Sequence, residues 1–207
     1  MDLNSIVSVA ILVGSVTVHE FFHGFIALRG GDTTARDLGR VTLNPIAHID
    51  PVWSLLIPAL MVLSGGTPIG AAKPVPVDPR RLTRGWYAAS IAAGPLSNLG
   101  LAVLGAATLH LTGWPDLTRL GVFALHVVAI NVSLCVFNLL PLYPLDGSRV
   151  AATIFLNRPS LIRDSQMSFV LGLGLLIVLM RTGWLNRVIH TLTATVLWLM
   201  GLGGGWW

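Results

Sequence analysis

His19-Glu20-Phe21-Phe22-His23 sets two imidazoles one helical turn apart with a carboxylate beside the first. On a helix, residues i and i+4 lie on one face, so both rings can reach one metal ion. Glu20 is then placed to act as general base on a water activated by that metal. It is the only glutamate in 207 residues; the other eight acids are aspartates. It also lies in a stretch that is otherwise apolar from Ile6 to Leu28. A charge at the centre of a membrane helix costs ~2.5–3.5 kcal/mol, so an ionisable group there marks function by default. A packing cluster would not explain this spacing around one glutamate.

A catalytic zinc usually takes three protein ligands and keeps one position open. With no second glutamate, the third ligand is an aspartate or a histidine: Asp146, His48, His110, His126 or His190. Asp146 is favoured. It ends the run Asn138-Leu139-Leu140-Pro141-Leu142-Tyr143-Pro144-Leu145-Asp146-Gly147. Two prolines stop a helix from closing its hydrogen bonds there. Gly147 is expected to allow an unusual backbone angle next to the carboxylate. Cys135, the only cysteine, rules out an internal disulfide and a cysteine zinc cluster, and reads as a small buried hydrophobe.

The elements that must carry these groups follow from composition. Only 11% of the residues are charged, against about 25% in soluble domains. Five apolar segments are near the length that crosses a bilayer, about 20 residues: 4–28, 87–112, 120–140, 167–181 and 184–203. Residues 52–72 are apolar too, but interrupted by Pro58, Gly65, Gly66, Pro68 and Gly70. The expected fold class is an all-α polytopic membrane protein with five to six transmembrane helices, a re-entrant segment and a small membrane-associated β element. It forms one domain over 1–207, with a catalytic core over 4–157 and C-terminal helices over 167–203. The apolar start lacks the basic residues of a signal peptide. The net charge of +4 reflects Lys and Arg in cytoplasmic loops rather than nucleic-acid binding, since no basic stretch carries interleaved aromatics.

These residues resemble the site-2 protease family of intramembrane zinc metalloproteases. The resemblance rests on His19-Glu20-Phe21-Phe22-His23-Gly24, Gly94-Pro95-Leu96-Ser97-Asn98 and the Asn138–Gly147 run, in that order. Gly39-Arg40-Val41-Thr42-Leu43-Asn44-Pro45-Ile46-Ala47-His48-Ile49-Asp50-Pro51 belongs to it as well. The match covers about residues 15 to 155 and is nearest the compact members, with no PDZ insertion and no CBS pair. It implies one zinc per chain on His19, His23 and Asp146, with Glu20 as general base. It also implies that Asn138, eight residues before the aspartate, helps to stabilise the oxyanion.

Three ligands at one depth require the helix at 4–28 and the helix at 120–140 to run the same way. An odd number of crossings must then separate them. Residues 87–112 cross once, so 52–72 should enter and return on one side. Charge supports this. In that arrangement Arg29, Arg36, Arg40, Lys73, Arg80, Arg81, Arg84, Arg149, Arg158 and Arg163 share a side, against Arg119, Arg181 and Arg187. The richer side is cytoplasmic, which puts the zinc nearer the cytoplasmic face of a multi-pass cell-membrane protein.

Helical peptide bonds are shielded, so a transmembrane substrate has to unwind before cleavage. Ala72-Lys73-Pro74-Val75-Pro76-Val77 cannot be helical and reads as an extended edge able to pair with it. Lys73, Val75 and Val77 are therefore substrate-binding candidates. His48 and Asn98 are accessory candidates, and Asn131 and His126 read as interhelical hydrogen-bonding groups. The expected partners are the bilayer and transmembrane proteins or peptides; oligomeric state is open. Two other functions fit the same residues: a non-enzymatic membrane protein that carries or senses metal, and a zinc hydrolase acting on a lipid or prenylated substrate. A transporter would show further acids or histidines along a path, and Glu20 stands alone.

Overall fold

The computed structural model describes residues 3–51, 72–113, 118–155 and 166–202. The described residues form helices α1 (Leu3–Arg29), α2 (Thr34–Asp37), α3 (Arg84–Leu111), α4 (Arg119–Leu139), α5 (Asp146–Phe155), α6 (Gln166–Arg181) and α7 (Trp184–Leu199). Short 3₁₀ turns lie at Pro45–His48 and Pro79–Arg81.

The long helices are built inside out relative to a soluble protein. On α1 the buried residues are Ser15, Thr17, His19, His23, Gly24 and Ala27. Its large apolar residues Leu3, Ile6, Val9, Leu12 and Val13 are exposed. On α3 the buried face carries Ser90, Gly94, Pro95, Asn98, Ala102, Gly105 and Ala106. Lipid is as apolar as leucine, so only small and polar faces gain by meeting one another. At Gly105 a Cβ would lie 2.8 Å from Val128 Cγ2, so α3 and α4 approach as closely as backbone allows. α1, α3 and α4 are each long and apolar enough to span a bilayer. The chain is therefore a membrane protein.

The contacts fix helix direction. His23 meets Ser90 while Ser15 and His19 meet Asn98, so α1 and α3 are antiparallel. Asn98 meets Asn131 while Gly105 packs on Val128 and Ala124, so α3 and α4 are antiparallel too. α1 and α4 thus run the same way, as a shared ligand depth demands.

Two expectations change here. Residues 167–181 and 184–203 were expected to cross separately. α6 and α7 are instead a pair bent by 80°, with the turn at Gly183, whose φ is 72°. Each has 16 residues, or ~24 Å at 1.5 Å per residue, short of the ~30 Å hydrocarbon layer. The described helices supply three crossings, or four if the bent pair is one broken span, against the expected five to six. The second change concerns β structure. Residues 72–78 are extended, but no strand pairs with them among the described residues.

The expected re-entrant segment falls mostly on 52–71, outside the described residues. Its flanks are described, and they meet: Lys73 N–H donates to the His48 carbonyl at 2.8 Å. The extended stretch is held at two further points. Val75 N–H donates to Glu20 Oε2 at 2.9 Å, and Asp78 N–H donates to Asp32 Oδ2 at 2.7 Å. Asp32 is fully buried and also accepts from the Thr34 amide and hydroxyl. The amides of Lys73 and Val75 thus face the protein. Alternate residues of an extended chain face opposite ways. The outward edge therefore presents the carbonyls of Pro74 and Pro76, and prolines offer no N–H.

Candidate metal centre

α1 projects His19 and His23 from one face, and both are buried. Asp146 arrives from the far end of the core. α4 stops at Leu139 because Pro141 and Pro144 cannot continue its ladder. Leu142 N–H turns back to the Leu140 carbonyl and Leu145 N–H to the Leu142 carbonyl, both at 2.8 Å. α5 then begins at Asp146 itself. Gly147 does not supply the unusual backbone angle expected of it, since it is not among the glycines with positive φ. It supplies space: a Cβ there would strike the Leu139 and Leu140 carbonyl oxygens. Glycine lets the start of α5 lie against the end of α4, and that contact sets the depth of the carboxylate.

The three side chains converge tightly. Asp146 Oδ2 lies 3.1 Å from His19 Nε2 and 3.3 Å from His23 Nε2. The two Nε2 atoms are 3.0 Å apart. The other nitrogen of each ring faces an acceptor. His19 Nδ1 is 2.6 Å from Asn98 Oδ1, and His23 Nδ1 is 2.8 Å from the Ser90 carbonyl. Each Nδ1 therefore carries the ring proton, and each Nε2 presents a lone pair. Three lone pairs turned toward one point repel unless a cation sits among them. Donors bound to a zinc at ~2.0 Å lie ~3.3 Å apart in a tetrahedron, close to the spacings here. Two imidazoles and one carboxylate fit zinc, and they are the only such group of three among the described residues.

Gly94 completes the centre by absence. A Cβ on it would lie 2.6 Å from His19 Nε2 and would also strike His23 Nε2. Any side chain at 94 would enter the space that the ion needs. Ser90, Gly94 and Asn98 recur every four residues on α3, as Ser15, His19 and His23 do on α1. Two facing stripes at helical spacing were a signal in the sequence. Ser15 and Ser90 were not picked out from it, and Gly94 was read only as part of the Gly94–Asn98 motif.

The remaining candidates are placed as follows. Glu20 follows His19 and accepts the Val75 amide. Asn98 is fully buried and holds His19. Asn138 donates to the Leu134 carbonyl on its own helix at 2.9 Å. His48 is buried outside the cluster, with Nε2 donating to the Thr42 carbonyl at 2.9 Å. Lys73 and Val75 offer inward amides that already have acceptors, and Val77 is half-buried. Asn131 bonds between helices, to Asn98 and Ser15. His126, expected to do the same, bonds to the Val122 carbonyl one turn back on its own helix. Outside the membrane, the Arg80 guanidinium holds the Asp78 carboxyl down at about 2.

Several known proteins are similar to this chain in sequence. Over 194 residues the chain is 31% identical to "Putative zinc metalloprotease Rip2" of Mycobacterium tuberculosis, covering 92% of this chain and 71% of that protein. The chain belongs to the site-2 protease family. "Putative zinc metalloprotease YwhC" of Bacillus subtilis is 38% identical over 148 residues, covering 67% of this chain and 64% of that protein. The Rip2 protein of Mycolicibacterium smegmatis is 34% identical over 142 residues, covering 64% of this chain and 51% of that protein. The chain thus spans between half and two thirds of the length of those last two relatives. No protein-family profile and no solved structure matches it. The names of these relatives describe zinc metalloproteases, and His19, His23 and Asp146 are the residues here that could hold such an ion.

Proposed function

We propose that this chain hydrolyses peptide bonds in or near transmembrane segments of membrane proteins, as an intramembrane zinc metalloprotease. The observation that carries the reading is the pairing of Glu20 with three lone pairs gathered at the meeting of membrane helices. Bound zinc would act as a Lewis acid, making water acidic and polarising the scissile carbonyl.

The chain's own groups supply the rest. His19, His23 and Asp146 would hold the ion. Glu20 takes a proton from the attacking water and returns it to the leaving nitrogen. Its Oε2 accepts the Val75 amide, and the carboxylate keeps further lone pairs on its two oxygens to take the proton. Asn138 is the proposed donor to the oxyanion, a contribution of ~3 kcal/mol for such a group. Its amide would have to turn from the Leu134 carbonyl. An unwound substrate would lie along Lys73–Val77 and supply the partner strand for this extended stretch. Its N–H groups would meet the Pro74 and Pro76 carbonyls.

For topology we propose that His48 and Lys73, joined by a hydrogen bond, lie on one side of the membrane. The basic side is then cytoplasmic, the protein is a multi-pass cell-membrane protein, and the substrates are transmembrane proteins.

The test uses the purified chain, one zinc equivalent and a transmembrane peptide, with product masses read directly. Glu20→Gln should retain zinc and lose at least ~10²-fold in cleavage rate, the lower range for general-base catalysis. Cleavage at the wild-type rate in Glu20→Gln would reject the mechanism. A wild-type chain that binds zinc but leaves every peptide intact would favour metal carriage or sensing.

A further inference from the structure

Behind the metal-facing rings lies a polar relay that the reaction itself does not use. His19 Nδ1–H donates to Asn98 Oδ1. The Asn98 amide nitrogen donates to Asn131 Oδ1 at 2.9 Å and, more weakly, to the Ser15 carbonyl at 3.4 Å. The Asn131 amide nitrogen donates to Ser15 Oγ and to the Val127 carbonyl, both at 2.9 Å. Asn98 and Asn131 are fully buried, and Ser15 is 4% exposed. Each link constrains the next. The Val127 carbonyl, which can only accept, fixes which end of the Asn131 amide is nitrogen. Its oxygen then faces Asn98, so Asn98 must turn its nitrogen toward Asn131 and its oxygen toward His19. An oxygen there demands the proton on Nδ1 and leaves Nε2 bare. The chain starts on α1, passes through α4 and α3, and returns to α1 one turn from where it began.

We infer that Asn98, Asn131 and Ser15 are positioning residues that fix the tautomer and ring orientation of His19, and through it the zinc affinity. This rests on the metal reading of the same site. Groups that orient a metal-binding histidine are typically worth ~10–100-fold in metal affinity. His23 is an internal control. Its proton is set by the Ser90 backbone carbonyl, which no side-chain substitution removes.

The experiment has two readouts on the purified full chain in micelles. The first is ¹⁵N NMR of the histidine rings without zinc, which distinguishes Nδ1–H from Nε2–H. The second is zinc affinity by chelator competition. In the wild type His19 and His23 should both be Nδ1–H. Asn98→Leu should move only His19 toward a mixture and weaken zinc ~10–100-fold. Asn98→Asp keeps an acceptor against Nδ1–H and should keep the His19 signature. Asn131→Leu and Ser15→Ala, milder cuts that still test the relay if Asn98→Leu does not fold, should give the same change in smaller measure. An unchanged His19 signature with zinc affinity within twofold in Asn98→Leu or Asn131→Leu would overturn the inference. Equal movement of His23 would also overturn it, since the effect would then be general loosening. A wild type with the expected tautomers but no zinc affinity would instead sink the metal reading.

Discussion

The helix trio α1, α3 and α4 and the bent pair α6–α7 lie in one chain yet are held by opposite means. The trio buries Ser15, Thr17, His19, His23, Ser90, Asn98 and Asn131 among small residues. The bent pair packs through leucines: Leu176 and Leu185 join Leu140 and Leu145 in one apolar cluster. In lipid, apolar contact gains little beyond shape, whereas buried polar groups must find partners. The trio is therefore specified in large part by buried hydrogen bonds, and the pair mainly by apolar packing. Two glycines allow a matched comparison between the regions. Gly94 has ring nitrogens where its Cβ would be, and Gly174 on α6 has nothing within 4 Å.

That contrast can be broken in several ways. The largest effect should come from Gly94→Ala, whose methyl enters the metal space. We expect at least ~100-fold weaker zinc binding by chelator competition, comparable to the loss of a group that orients a ligand. Gly174→Ala, the matched change on the bent pair, should leave zinc affinity within twofold. Gly147→Ala comes next. It forces apart two backbones and should cost about 3 kcal/mol in an unfolding titration, as overpacking does. Zinc affinity should fall with it, because Asp146 moves. Leu185→Ala opens a cavity worth about 2 kcal/mol without touching the metal. Equal zinc loss in Leu185→Ala and Gly147→Ala would erase the distinction between the two regions.

The smallest effect concerns pH. Asp78 sits at the end of the extended stretch, with its pKa lowered from 3.8 to about 2 by its hydrogen bonds to Arg80. A carboxylate depressed by folding stabilises the folded chain above its unfolded value and loses that contribution as pH falls through the folded one. Amide-exchange protection at Val75 and Asp78 should therefore hold steady at pH 5 and above, and decline between 3.8 and about 2. Arg80→Ala should shift that decline toward higher pH.

The sequence was most legible where residue type and spacing carry the chemistry. His19, Glu20, His23 and Asp146 stood out because charge is costly in lipid and only metal chemistry explains their pattern. The common direction of α1 and α4 followed from requiring one depth. What escaped notice were contributions without a side-chain signature. The Ser90 group that matters is a backbone carbonyl, and Gly94 and Gly147 act through atoms they lack. The bend between α6 and α7 was missed because hydropathy measures how oily a segment is and not which way it points. The extended stretch was legible from its prolines. The hydrogen bond from Val75 to Glu20 was not, because it joins residues 55 positions apart.

The alternation of prolines along Lys73–Val77 has one more effect. An edge that shows oxygens and no N–H groups cannot zip onto a copy of itself, since two such edges have nothing to give each other. Two copies of this stretch therefore have no donors to exchange along that edge, whereas a peptide with its own N–H groups would have donors for the Pro74 and Pro76 carbonyls. The same two residues that leave the edge open to a guest close it to its own kind.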